Sequence, residues 1–293
     1  VGPPGTGKSM LARRLPSILP PMTLEEALEV TQIHSIMGLL KPGQHIQSER
    51  PFRSPHHTAS NAGILGGGST PTPGEITLAH HGVLFLDELP EFKRTTLETL
   101  RQPLEDGFVT ISRASGTLIF PTELMLIAAM NPTPDGKMPH ESRSSPQQIQ
   151  NYLGRISGPL LDRIDLHIEV PSVPFRFISS NQPAAESSEQ IRKRVIAARQ
   201  KQTERFALSP HIRANARMGS RELSKFCNLD SDCLNLLKMA MNEMHLSARA
   251  YDRIRKVART IADLEGSEEI QSQHIMEASQ YRNLDRQVWS FLA

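Results

Sequence analysis

Two uninterrupted apolar runs set the tightest limit on what this chain can fold into: Val-Leu-Phe-Leu at 83–86 and Leu-Met-Leu-Ile-Ala-Ala at 124–129. A run this short with no polar alternation has no wet face. It suits a strand covered on both sides in a parallel sheet. Helical stretches lie between such runs, so residues 1–171 read as an α/β domain. Residues 164–170 (Ile-Asp-Leu-His-Ile-Glu-Val) alternate strictly, which predicts a strand with one wetter face near a sheet edge. Residues 110–120 turn at Ala114-Ser115-Gly116, a hairpin signal. Residues 66–74 are rich in Gly, Pro, Ser and Thr and predict a mobile loop or insertion.

Beyond residue 171 the pattern changes. Pro174, Pro183 and several serines make 172–188 a linker, and 189–206 a basic helix. Its Arg192, Lys193, Arg194, Arg199, Lys201 and Arg205 suit a solvated face better than a DNA contact. Residues 207–293 read as a helical lid domain, helical from about 219 to the end and predicting a bundle of about four helices. Ser247 is a good N-cap, Ala250, Ile254, Val257, Ala258, Ile261 and Leu264 share one face, and Gly266 sits where a helix ends.

Both runs end in groups that can do chemistry, Asp87-Glu88 after the first and Asn131 after the second. At the other end of the chain, Gly2-Pro3-Pro4-Gly5-Thr6-Gly7-Lys8-Ser9 fits G-x-x-x-x-G-K-[ST]. Glycines there let successive N–H groups face phosphate oxygens, Lys8 reaches the outer phosphates, and the Ser9 hydroxyl can ligate Mg²⁺. Asp87 would hold the same Mg²⁺ through its water shell. Glu88 would orient or deprotonate the attacking water, and Asn131 would position it. The phosphate loop with its Mg²⁺ groups makes ATP the expected ligand, and if the second run neighbours the first, all three motifs end at one sheet edge, where such ligands bind. Arg163, between Asp162 and Asp165, reads as an arginine finger toward a neighbouring subunit, with Arg155 as runner-up. Arg249, in the first turn of the long C-terminal helix, could reach back to the nucleotide. The pairs His56-His57 and His80-His81 lack metal-ligand spacing and are expected to be structural.

Composition excludes little. A net charge of +2 neither demands nor rules out nucleic acid, and 5% aromatic residues offer no stacking platform for single strands. Cys227 and Cys233, the only cysteines, imply no disulfide framework and fit a reducing cytoplasm. No run of 18 apolar residues exists, so no membrane partner is expected. Val1 stands where a Met would start a whole chain, and the glycine motif should follow a buried strand. The sequence is therefore expected to be a piece of a longer protein.

These motifs in this order resemble AAA+ ATPases. The strings at 82–92, 157–167, 246–253 and 257–264 are similar to those of the magnesium-chelatase-like ComM/YifB family. The resemblance implies a P-loop AAA+ core with a C-terminal all-α lid. Its Walker A falls on residues 2–9, Walker B on Asp87 and Glu88, sensor 1 on Asn131, arginine finger on Arg163 and sensor 2 on Arg249. It further implies ATP hydrolysis with Mg²⁺ and self-assembly into a ring, a hexamer. The action implied is remodelling or branch migration of DNA in recombination or transformation. The alternative is a chelatase-type ATPase subunit acting on a protein partner. Residues 66–74 and the hairpin centred on Arg113 resemble inserts that face a ring's pore, and relatives carry an N-terminal Lon-protease-like domain. Many relatives have metal-spaced cysteines after the sensor-1 Asn-Pro. Here 133–142 contain none, so no metal knuckle is expected.

Overall fold

The computed structural model describes residues 1–68, 71–113, 116–172, 186–209, 212–244 and 246–282. Most of the expected linker, the hairpin tip and the last eleven residues lie outside the described residues. Contacts divide the chain into two compact units. The first comprises Val1–Pro16, Pro21–Ile164 and Val170–Ile178; the second comprises Ser17–Pro20, Asp165–Glu169 and Ser179–Ala293.

The first unit holds strands β1 (Phe52–Arg53), β2 (Gly66–Gly67), β3 (Thr72–Pro73), β4 (Val83–Leu86), β5 (Phe108–Arg113), β6 (Gly116–Pro121) and β7 (Met125–Ala128). β1, β4 and β7 form a parallel sheet in that order. β4 is central and buried throughout, as its unbroken apolar run requires. β7 corrects the expectation of a second strand covered on both faces: Met125 is 40% exposed and its three neighbours are half-buried. The reason is position. Among the described residues it pairs with β4 alone, and past its end the Gly2 N–H donates to Met130 O at 3.2 Å.

Residues 164–170 do not form the expected strand. Val170 N–H donates to Val1 O, whereas His167 N–H donates to Tyr281 O. A ladder needs successive bonds to one neighbour; here the neighbour changes, and Leu166 and Ile168 stay exposed.

The glycine-rich stretch is likewise packed rather than mobile where it is described. β2 and β3 pair antiparallel, and a Cβ at Gly74 would lie 2.2 Å from Gly66 N. Two backbones touch there because neither carries a side chain. Gly82 makes a similar approach: a Cβ would lie 2.0 Å from Pro51 O, beside the Val83 N–H to Pro51 O bond that starts the β1–β4 pairing. β5 and β6 form the expected hairpin, with Val109 and Ile111 buried.

Three helices of the first unit follow from local signals. Leu24–Ile36 starts at a capping box in which Thr23 and Glu26 satisfy each other's backbone. Pro146–Leu153 starts at a second, formed by Ser145 and Gln148. Lys8–Arg14 follows the glycine loop and packs Ala12 against Phe85 of β4 and Ala129 after β7.

The second unit contains helices Ser188–Arg205, Ser220–Phe226, Ser231–Glu243, Ala248–Glu265 and Ser272–Gln280. Ser247 caps the long one by accepting from Ala250 N–H, and Gly266 ends it at φ 86°. Ala250, Ile254, Ala258 and Ile261 are buried on the predicted face, whereas Leu264 at its end is 37% exposed. Cys227, Cys233, Leu237 and Ile275 join the same core. A polar knot is buried with it. Asp263 has no exposed side-chain surface and is bound by Arg205, Arg259 and Asn215. No helix among the described residues is long and apolar enough to cross a membrane.

Candidate functional site

Parallel pairing puts the carboxyl ends of β4 and β7 side by side, with Leu86 opposite Ala128. Asp87 and Asn131 therefore emerge at one edge, where open parallel sheets place ligands. The loop at 2–9 reaches the same edge. Ser9 Oγ donates to Asp87 Oδ2 at 2.6 Å, and Lys8 Nζ donates to Asn131 Oδ1 at 3.3 Å. Those partners lie 78 and 123 residues away in sequence. Lys8 Nζ also donates to Gly2 O and Pro3 O, each at 2.7 Å, and burial pulls its pKa down against the opposing pull of Asp87.

Within the loop, Gly5 and Gly7 take φ values of 80° and 82°. Single left-handed residues beside ordinary ones turn successive amides toward a shared concavity. Among the described residues the N–H groups of Gly5, Thr6 and Gly7 donate to no backbone carbonyl. A Cβ at Gly5 would meet nothing, so that position is glycine for its backbone rather than for space. Thr6 is buried and donates to Pro3 O, which closes the loop's outer turn. Gly2 is glycine for space: a Cβ would lie 2.2 Å from Val170 O.

Glu88 is one of two non-glycine residues with positive φ among those described, at 53°. Its carboxylate is 58% exposed and lies 3.3 Å from His57 Nδ1. His57 was expected to be structural, with no pairing to Glu88 foreseen. Its ring lies on His56 and meets the edge of buried Phe92. The available signal was weak: His57 follows β1, and β1 is the strand beside β4. Sequence reasoning missed Tyr152. Its hydroxyl donates to Asn131 O at 3.4 Å, and burial together with Glu91 pushes its pKa up to about 12.

The arginines are placed differently. The Arg163 side chain is 9% exposed and ion-paired with Glu105, and it donates to the carbonyls of Arg101 and Pro159. Arg155 is half-exposed and bonds Pro90 O and Glu91. Arg249 is exposed in the first turn of the helix Ala248–Glu265 in the second unit.

His80, His81 and Glu29 bring three possible metal ligands within 4.8 Å of one another. The hydrogen bonds argue for a staple instead. His80 Nδ1 accepts from Glu123 N–H, so its Nε2 carries the proton and donates to Glu29 at 3.0 Å. A metal would need that nitrogen's lone pair.

The architecture is that of an α/β unit on a parallel sheet followed by a helical unit, the class to which AAA+ proteins belong. Residues 1–177 match the family model described as magnesium chelatase, subunit ChlI, and residues 185–282 match its C-terminal counterpart. The chain belongs to the magnesium chelatase ChlI family of AAA+ proteins. It is 48% identical to YifB of Salmonella typhimurium over 98% of this chain and 56% of that one. It is also 48% identical to competence protein ComM of Haemophilus influenzae, over 98% and 55%. YifB of Escherichia coli is 46% identical over 98% and 56%. The chain thus spans about half the length of the curated relatives it matches.

Proposed function

We propose that this chain binds ATP on the loop at residues 2–9 and hydrolyses it as the motor part of a ring-forming AAA+ protein that remodels or branch-migrates DNA. The convergence of Lys8, Ser9, Asp87 and Asn131 on one sheet edge carries this reading. The loop amides and Lys8 would hold the phosphates; Ser9 and Asp87 would hold Mg²⁺, whose charge would offset that developing on the phosphates. Glu88 would orient the attacking water and take its proton, using the carboxylate oxygen that His57 leaves free. Asn131, tied to Lys8, would fix the same water's second hydrogen bond. Arg163 is the assigned finger toward a neighbouring subunit and would have to exchange Glu105 for a phosphate. Exposed Arg155 is the alternative. Arg249 is assigned to sensing the nucleotide from the second unit.

The DNA role is supported by the likeness to competence protein ComM. A second reading, an ATPase subunit acting on a protein partner, is favoured by the chelatase-subunit description of the matching family.

ATP turnover of the full-length protein with and without branched DNA separates the two. Stimulation by branched DNA is expected. Indifference to every DNA structure would sink the DNA assignment. Glu88→Gln should lower turnover by roughly 10²–10⁴-fold while ATP still binds, and unchanged turnover would remove Glu88 from its role.

A further inference from the structure

After Asn131 the chain folds into a closed loop that leans on the glycine motif. Asp135 closes it. Its carboxylate lies 2.7 Å from Thr133 Oγ1 and 2.8 Å from Ser142 Oγ, and it accepts from Arg143 N–H at 2.9 Å. Thr133 is fully buried, and its one hydroxyl proton is shared between Asp135 Oδ1 and Lys137 O, the latter 2.6 Å away. The three bonds keep the Asp135 carboxyl ionised well below the usual carboxylate range. One acidic side chain thus ties together both ends of the segment 133–143.

The turn so formed has a definite neighbour. Gly136 is buried with φ at 81°, and its N–H donates to Thr133 O. A Cβ there would lie 2.8 Å from Pro4 Cδ, 3.1 Å from Pro4 Cγ and 4.0 Å from Asn131 Nδ2. The backbone of this turn is therefore in van der Waals contact with the glycine motif. At the root of the same segment, Asn131 Oδ1 holds Lys8.

We propose that residues 131–143 brace the phosphate loop: Asp135 locks the segment, Gly136 seats it on Pro4, and nucleotide affinity depends on that seat. Asp135 and Gly136 are positioning residues. They act through Pro4 and set the curvature of residues 2–9. Proline has one fixed backbone angle and little freedom to yield, so a displaced turn shifts the amides of Gly5 and Thr6 directly. The inference rests on the loop being the nucleotide site.

The test is a double-mutant cycle on the full-length protein, reading the dissociation constant of a non-hydrolysable ATP analogue together with KM and kcat for ATP. Gly136→Ala should weaken binding and raise KM about tenfold, with kcat changed no more than about threefold, a loss of about 1.4 kcal/mol. Pro4→Ala removes the ring that the new methyl meets. The double variant should therefore bind several-fold better than the product of the single effects. Multiplicative effects would overturn the brace. Should Gly136→Ala not fold, Asp135→Ala on the exposed side of the segment should weaken binding in the same direction, with partial rescue in Asp135→Asn. An unchanged dissociation constant in Asp135→Ala would overturn the proposal equally. No analogue binding by the wild-type protein would instead sink the nucleotide site itself, and the brace's role with it.

Discussion

The two units treat charge in opposite ways. In the first, Lys8, Ser9, Asp87 and Asn131 meet at a sheet edge, and Glu88 stays more exposed than buried. In the second, Arg205, Arg259, Asn215 and Asp263 meet inside the helical core, with Asp263 wholly buried. Groups held at an open edge can exchange their partners for a ligand. Groups sealed in a core cannot, and they serve the fold. Distant polar residues pair in both units, so pairing alone does not mark a functional site; accessibility does.

The largest test of this contrast is Asp263→Ala. It leaves one buried and one half-buried guanidinium without their carboxylate, and the second unit should lose about 3–5 kcal/mol. Chemical denaturation followed on that unit should report it, with analogue affinity in the folded protein near wild type. A loss under about 1 kcal/mol would mean that the knot is dispensable. Lys8→Ala should do the reverse. Nucleotide binding should weaken by roughly 100-fold, the worth of one or two charge-assisted hydrogen bonds, while the unfolding midpoint moves little. A large fall in stability with binding intact would erase the distinction.

The smallest expected effect sharpens the buried side. Burial pushes the Cys227 thiol from 9.0 up to about 11. The unfolded thiol ionises first as pH rises, so the stability held by the neutral buried form is whole below about pH 9 and is lost between pH 9 and 11. Wild-type protein should lose about 2 kcal/mol more than Cys227→Ala over that window. Parallel curves would show that Cys227 gains access to water.

Much of this was legible in the sequence wherever one local rule decided the outcome. β4 reads directly from four apolar residues because a central strand has no wet face. The helix Ala248–Glu265 reads from its serine cap and its terminal glycine. The residues that meet at the sheet edge were legible too, since each follows a strand or a glycine loop. What failed depended on neighbours. The alternation at 164–170 has the right period for a strand, yet its backbone partners change partway. The glycines at 66–74 look loose in a sequence and instead allow two backbones to touch. His57 carries no local mark because its partner Glu88 lies in the turn after β4, far along the chain, and Glu105 likewise gives no local sign that it will claim Arg163.

Gly82 carries a lesson for anyone scanning this protein by saturation mutagenesis. The Pro51 carbonyl occupies the space a methyl would need, so every replacement should score as badly as a change at Lys8. Intolerance at position 82 would record a steric veto on the approach of two chains. A map of forbidden substitutions would therefore draw this silent spacer and the reacting groups in the same colour, and only assays run on folded variants would tell them apart.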